Sequence, residues 1–243
     1  MQQKMLLQYG IGMSVYAMMG LSFLPLIFVF VIFALFLHGF KIRYGLVAIL
    51  LGLLSLIPIV IIQSIVRNLP IFTSTTLVSA LITVMIFNGF IEESVKMLFL
   101  RLLPHKRTSF PVFFSMTLMV GLALGCFETV IYLFSGFHEI ELRTVTAVVM
   151  HCLCAALSGV FVWTWRNPVV TAEGKKKHFF QPYVWAVILH GSYNFFAGFS
   201  GFYRWFSVVT IILTALECRI WFQKFMNVNN GEPVLGIESS DLT

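Results

Sequence analysis

The chain has 243 residues, of which 59% are hydrophobic and 11% are charged, and its mean hydropathy is +0.92. These values lie outside the range of soluble domains and indicate an integral membrane protein. The net charge is +6, but the basic residues stand in short segments between apolar runs, so we expect no nucleic-acid binding. Asp241 is the only aspartate, which excludes mechanisms that need two intramembrane aspartates.

Apolar runs long enough to cross a hydrocarbon core of about 30 Å recur along the whole chain. We therefore predict an all-α, polytopic membrane protein with seven helices, at residues 14–37, 45–66, 72–100, 110–134, 144–165, 181–202 and 205–223. One transmembrane domain is expected over residues 1–224, followed by a short polar cytoplasmic tail at 225–243. Since no soluble domain remains, any function is expected among the helices.

The distribution of Lys and Arg predicts the orientation of the chain. Lys and Arg favour the cytoplasmic side of short loops. With the N-terminus outside and the C-terminus inside, most of the loop Lys and Arg residues lie on the cytoplasmic side. We expect a multi-pass protein of the cell membrane, the inner or plasma membrane, in this orientation.

The third predicted span contains three ionisable side chains, Glu92, Glu93 and Lys96. An ionised group at mid-bilayer costs about 2.5–3.5 kcal/mol on insertion scales, so it needs a partner or a purpose. Asn88, Glu92 and Lys96 share one helical stripe, and Glu93 is turned about 100° away. An internal Glu92–Lys96 pair would be a purely structural explanation, but it leaves Glu93 unexplained.

Polar residues also occur beside small residues in the next three spans. These stripes are Gly121, Gly125 and Glu128; His151, Ala155 and Gly159; and His190, Asn194 and Gly198. Small residues allow neighbouring helices to approach closely, so these polar groups are expected to face protein. A single intramembrane histidine is typical of an interhelical hydrogen bond, but the same pattern on four helices predicts one polar cluster.

Two kinds of chemistry fit such a cluster, and the residues alone do not choose between them. A glutamate could act as general base while His or Asn donors stabilise an oxyanion. Alternatively, His151, His190 and Glu128 could bind zinc or another divalent metal, with a second glutamate as the base. An H-E-x-x-H zinc motif is absent from the sequence.

Four short motifs resemble those of the PrsW family of intramembrane proteases, itself similar to the type II CAAX-prenyl protease group. EESVK at 92–96 resembles the family's E-E-x-x-K motif, and GLALGCFETVIY at 121–132 resembles its glycine-rich segment ending in Glu-Asn. The segment 151–159 and HGSYNF at 190–195 resemble its two histidine motifs. Thr129 stands where the family usually has Asn.

The resemblance implies a peptidase with a catalytic core at about residues 85–200 that cleaves a membrane-associated protein in or near the lipid bilayer. An anti-sigma-factor-like substrate is implied in the same way. Our hypothesis is that Glu92 or Glu93 activates water. In this hypothesis His151, His190 and Asn194 bind a metal or the oxyanion, and Lys96 tunes the carboxylates. Glu128 is equated with the family's glutamate.

Two other interpretations remain open from the sequence. One is a proton- or ion-coupled transporter, since intramembrane Glu, His and Lys also mark proton relays. It would be favoured by inverted repeats, which we do not find. The other is a non-catalytic membrane scaffold on the same fold, in which the polar residues only join helices.

Overall fold

The structure is a computed structural model, and it describes residues 15–69, 72, 76–106, 108–134, 140–167 and 180–229. Over these residues every regular element is helical. The helices are α1 (Val15–Ser22), α2 (Leu24–Phe36), α3 (Ile42–Val66), α4 (Leu77–Val84), a π-helix (Met85–Ile91), α5 (Glu92–Leu100), α6 (Phe110–Phe134), α7 (Ile140–Arg166), α8 (Gln181–Ala197), a 3₁₀ turn (Gly201–Trp205) and α9 (Phe206–Asn229).

Six helical segments of the described residues are long and apolar enough to cross a membrane, and some of them join two or three consecutive elements. They are Tyr16–Phe36, Ile42–Val66, Leu77–Leu100, Phe110–Phe134, Val145–Arg166 and Gly201–Met226. The predicted all-α, multi-pass membrane fold is therefore confirmed. The expected seventh span, at 181–202, corresponds to α8, whose 17 residues give a length of only about 26 Å. Helix α9 continues to Asn229, and residues 230–243 of the predicted tail lie outside the described residues.

Helices α6 and α7 form the centre of the bundle. In the apolar window of α6, 78% of the residues are buried, compared with 6% for the span made by α1 and α2. Helix α6 is apolar on all sides over most of its length, as expected for a central helix. Helices α3 and α7 pack against α6, and α8 and α9 pack against α7. The polar stripes of α6 and α7 therefore face each other inside the protein.

Two glycines of α6 allow α7 to approach closely at the level of the polar residues. A Cβ added to Gly121 would collide with the backbone oxygen of His151 and lie 2.6 Å from the Ala155 Cβ. At Gly125 it would lie 2.9 Å from the Val148 Cα. Because Glu128 follows Gly125 by three residues, this close contact positions the Glu128 side chain beside His151.

A π-helical turn, Met85–Ile91, directly precedes Glu92. Such turns occur mostly as short bulges inside α-helices, frequently at functional sites. Helix α8 crosses the chain here: a Cβ on Gly89 would lie 2.6 Å from the Val187 oxygen, and one on Gly191 would lie 2.5 Å from the Met85 sulfur. This crossing brings His190 of α8 next to the glutamates that begin α5.

The close packing of α6 on α7 gives a test of the fold. Gly121→Ala adds a methyl group against the backbone of α7, so we expect it to lower the stability by about 1–3 kcal/mol, as other overpacking substitutions do. Gly20→Ala is the matched control, because nothing lies within 4 Å of a Cβ at that position. Thermal unfolding in detergent micelles should show a lower Tm for Gly121→Ala only. Equal Tm values for both variants would contradict the packing.

Candidate active site

Glu93, the second residue of α5, is fully buried and held from three helices. Its Oε1 accepts hydrogen bonds from Lys96 Nζ and from His190 Nδ1 at 2.7 Å. Its Oε2 accepts a hydrogen bond from Ser158 Oγ at 3.1 Å. Lys96 thus pairs with Glu93, three residues before it, and not with Glu92, the partner in the purely structural explanation. Both oxygens of Glu93 are occupied.

Glu92 is buried as well, but only one of its oxygens has a partner. Its Oε1 accepts hydrogen bonds from Gln63 Nε2 and Asn88 Nδ2, each at 2.9 Å. Its Oε2 has no hydrogen-bond donor, and it is the single buried side-chain oxygen or nitrogen of the described residues in this state. Such an atom in a buried site needs an explanation, for example an ion or a water molecule.

The two histidines approach Glu92 Oε2 from two helices. His151 Nδ1 lies 3.9 Å from this oxygen, and His190 Nε2 lies 3.8 Å from it. These distances are too long for hydrogen bonds. The two rings are 4.8 Å apart, at an angle of 82°. Three polar atoms from α5, α7 and α8 therefore surround one small space.

Each histidine also contacts a carboxylate through its other ring nitrogen. His151 Nε2 is hydrogen-bonded to Glu128 Oε2, and His190 Nδ1 is hydrogen-bonded to Glu93 Oε1. A nitrogen that donates to a carboxylate carries the ring proton, so in the neutral ring the lone pair is on the opposite nitrogen. The lone pairs of both imidazoles therefore point towards the space at Glu92 Oε2. The lone pair of His151 Nδ1 also accepts a long hydrogen bond from Lys96 Nζ, at 3.5 Å.

This donor set fits a divalent metal ion. Glu92, His151 and His190 each offer one ligand atom, and these atoms lie within 4.8 Å of one another. Two imidazoles and one glutamate form a known type of catalytic zinc site, in which ligand atoms of a tetrahedral ion are roughly 3.4 Å apart. A carboxylate behind each ligating histidine is also usual at such sites. The unpartnered Glu92 Oε2 is the atom that an ion would satisfy.

A second possible ligand group consists of Glu93, Cys154 and His190. It suits an ion less well, because Lys96 and Ser158 already donate to Glu93 and the His190 nitrogen on that side bonds the same carboxylate. Glu128, a ligand candidate from the sequence, contacts the Nε2 of His151, on the opposite side of the ring from Glu92. Its role as a ligand stays a prediction.

The described structure brings together most residues that the sequence singled out. Glu92, Glu93, Lys96, Glu128, His151 and His190 form one connected network. Asn194 instead donates to the backbone oxygen of His190 at 3.2 Å, so its contribution to an oxyanion site stays a prediction. The Glu128 side chain is 19% exposed, more than the other five, and marks where the site reaches the surface.

Two members of the network were missed by the sequence reasoning, Gln63 and Ser158. Gln63 is an isolated amide in the apolar run of α3. A polar residue inside an apolar span is the signal that identified the site residues of the other helices, but it was overlooked in α3. Ser158 directly precedes Gly159 in α7. A buried serine in a helix is common, so its sequence carries no signal for a bond to Glu93.

Comparison with known protein families identifies the chain. The model of the PrsW family of intramembrane metalloproteases matches residues 41–216, more than half of the sequence. The chain belongs to the PrsW family. The match contains every residue of the network, whereas α1 and α2 lie before it. No curated protein and no solved structure matches the chain.

Membership of the PrsW family makes the chain an intramembrane peptidase. It supports the peptidase interpretation over the transporter and scaffold interpretations, for which the polar cluster would be a proton relay or a set of interhelical contacts. The family's description as metalloproteases agrees with the donor set at Glu92, His151 and His190.

The buried pair of Lys96 and Glu93 gives a second test of stability. Lys96→Met removes the cation and leaves a carboxylate that is 0% exposed, and breaking a buried pair in this way costs about 3–5 kcal/mol. The exposed loop residue Lys106 provides the control, Lys106→Met, which should keep the Tm of the wild type. A Lys96→Met variant as stable as the wild type would show that the buried pair does not stabilise the fold.

Proposed function

We propose that this PrsW peptidase hydrolyses a peptide bond of a membrane-associated protein with water activated at Glu92, and that Glu92, not Glu93, is the reacting carboxylate. One observation carries the proposal: Glu92 Oε2 is buried without a donor and faces the lone pairs of two imidazoles. Both oxygens of Glu93 accept hydrogen bonds, so that carboxylate is occupied with holding Lys96, Ser158 and His190.

The reacting water is held at the space between Glu92 Oε2, His151 Nδ1 and His190 Nε2. Glu92 Oε2 accepts a proton from this water as the water oxygen attacks the carbonyl carbon of the substrate. The protonated carboxyl group then donates its proton to the nitrogen of the leaving amine as the C–N bond breaks. Glu128 and Glu93 hold the rings of His151 and His190 in place, and Lys96 pairs with Glu93 in the apolar interior.

Zinc or another divalent ion would be held by Glu92, His151 and His190. A bound ion of this kind lowers the pKa of its water and polarises the substrate carbonyl. Glu92 Oε2 would then serve as a ligand of the ion. Glu128 and Glu93 would hold the two ligating histidines, as carboxylates do at many metal sites.

We propose the substrate class from the surroundings of the site. A helical segment in lipid has its amides hydrogen-bonded internally, so a substrate must unwind locally to present a peptide carbonyl. Access is proposed on the side of Glu128, the most exposed residue of the network. A membrane-anchored, anti-sigma-factor-like protein of the cell membrane is the substrate suggested by the motif resemblance, which also suggests a relation to CAAX-prenyl proteases.

We also propose that α8 completes a seventh span and that the N-terminus lies outside. In that topology Lys41, Arg43, Arg101, Lys106 and Arg166 lie at the same end of the bundle. Because Lys and Arg favour the cytoplasmic side of short loops, this end is the cytoplasmic one.

Substitution of Glu92 tests the proposed reaction. Glu92→Gln keeps the size of the side chain but removes the proton acceptor, so we expect cleavage to fall by at least about 100-fold. The measurement uses proteoliposomes with a panel of single-span membrane proteins, of which one that the wild type cleaves is followed. Glu217→Gln, in another span and outside the network, is the control and should cleave at the wild-type rate. A fully active Glu92→Gln variant would refute the assignment.

Metal content tests the ligand set separately from activity. We expect the purified protein to bind one zinc ion, and Glu92→Ala and His190→Ala to lose it. Glu128→Gln should retain zinc with an affinity lower by about 10- to 100-fold, as for other residues behind a ligand. Elemental analysis and zinc titration would measure this, with Cys154→Ser as the control. Loss of zinc in Cys154→Ser with retention in Glu92→Ala would place the ion at the other group.

A further inference from the structure

Gln63 joins the candidate active site from outside its four polar spans. Its Nε2 donates to Glu92 Oε1 at 2.9 Å and lies 3.3 Å from the backbone oxygen of Phe87. We propose that Gln63 is a positioning residue, which fixes the Glu92 carboxylate so that Oε2 faces His151 and His190. The inference rests on the proposed function, in which Oε2 is the reacting oxygen.

The contact of Gln63 is a tertiary one, in contrast to that of Asn88. Both amides donate to Glu92 Oε1 at 2.9 Å. Asn88 precedes Glu92 by four residues on the same helical segment, so it moves together with Glu92. Gln63 belongs to α3 and is 29 residues away in the chain. Among the hydrogen bonds of Glu92 in the described residues, only that of Gln63 ties the carboxylate to another helix.

Gln63 also contacts the π-helical turn that carries Glu92. The backbone oxygen of Phe87, which lies near Gln63 Nε2, also accepts the backbone N–H of Glu92. One amide group therefore contacts both the backbone of the turn, at Phe87, and the side chain of Glu92 directly after it. Rotation of α5 relative to α3 would break both contacts, so Gln63 restrains the direction in which the Glu92 side chain points.

The composition of α3 supports a specific role for this amide. Gln63 is the only amide among the residues of α3, which is otherwise almost entirely apolar. A polar side chain in such a helix is unfavourable in the bilayer unless it is paired. Two nearby polar residues satisfy themselves locally: Ser64 donates to the Val60 oxygen at 2.7 Å, and Asn68 to the Ser64 oxygen at 3.0 Å. Gln63 instead points across to Glu92.

Replacement of the amide by an apolar group of similar length tests the inference. Gln63→Met removes the donor, so the carboxylate can turn away from the histidines. We expect kcat to fall by about 10- to 100-fold and zinc affinity to fall by a similar factor, the usual effect of losing a contact behind a ligand. KM should change by less than about twofold, because Gln63 does not contact the substrate in this account. Ser64→Ala is the matched control and should behave as the wild type.

A purely structural role for Gln63 predicts a different result. It would lower the Tm of Gln63→Met while the folded fraction keeps the wild-type kcat and zinc affinity, and that result would overturn the inference. If Gln63→Met does not fold, Gln63→Glu preserves the shape but places an acceptor against Glu92, and it should show the same loss of kcat and zinc affinity. Wild-type values in the folded variant would also overturn the inference.

Glu92→Gln in the same assays separates the two proposals. If it is inactive while Gln63→Met matches the wild type, the positioning role fails and the proposed function stands. If Glu92→Gln remains active and binds zinc, the proposed function fails.

Discussion

The site depends on the need to balance buried charges within an apolar helix bundle. The network contains three carboxyl groups, those of Glu92, Glu93 and Glu128, but a single lysine, Lys96. Lys96 and the hydrogen-bond donors satisfy Glu93, and His151 contacts Glu128. The remaining unmatched atom is Glu92 Oε2. One divalent cation at that oxygen would offset the excess of carboxyl groups and supply the missing contact. The same ion would take part in the proposed reaction.

Close packing of the helices brings the residues of this network together. Glycines at 121 and 125 let α6 approach α7, and those at 89 and 191 let α8 cross the π-helical turn. Residues with larger side chains at these positions would separate the helices that carry Glu92, Glu128, His151 and His190. The weakly buried first span, made by α1 and α2, contributes no residue to the network and lies outside the family match.

The sequence predicted the fold class and most residues of the cluster, because polar residues in apolar spans are rare and helical spacing places them on defined faces. It could not predict how these groups pair. Lys96 is within reach of residues three and four positions earlier, so its choice of Glu93 depends on the positions of α7 and α8. The bond from Gln63 to Glu92 joins distant helices, and helical spacing within one span contains no information about it. The free oxygen of Glu92 follows from these pairings, so it too required the structure.

The central claim is that Glu92, His151 and His190 surround the reacting position. The X-ray absorption spectrum of the zinc-loaded protein tests this claim most directly, since it reports the ligand atoms of the ion. The account predicts a first shell made only of nitrogen and oxygen, at about 2.0–2.2 Å. A sulfur ligand at about 2.3 Å would place the ion beside Cys154 and Glu93 and would contradict it.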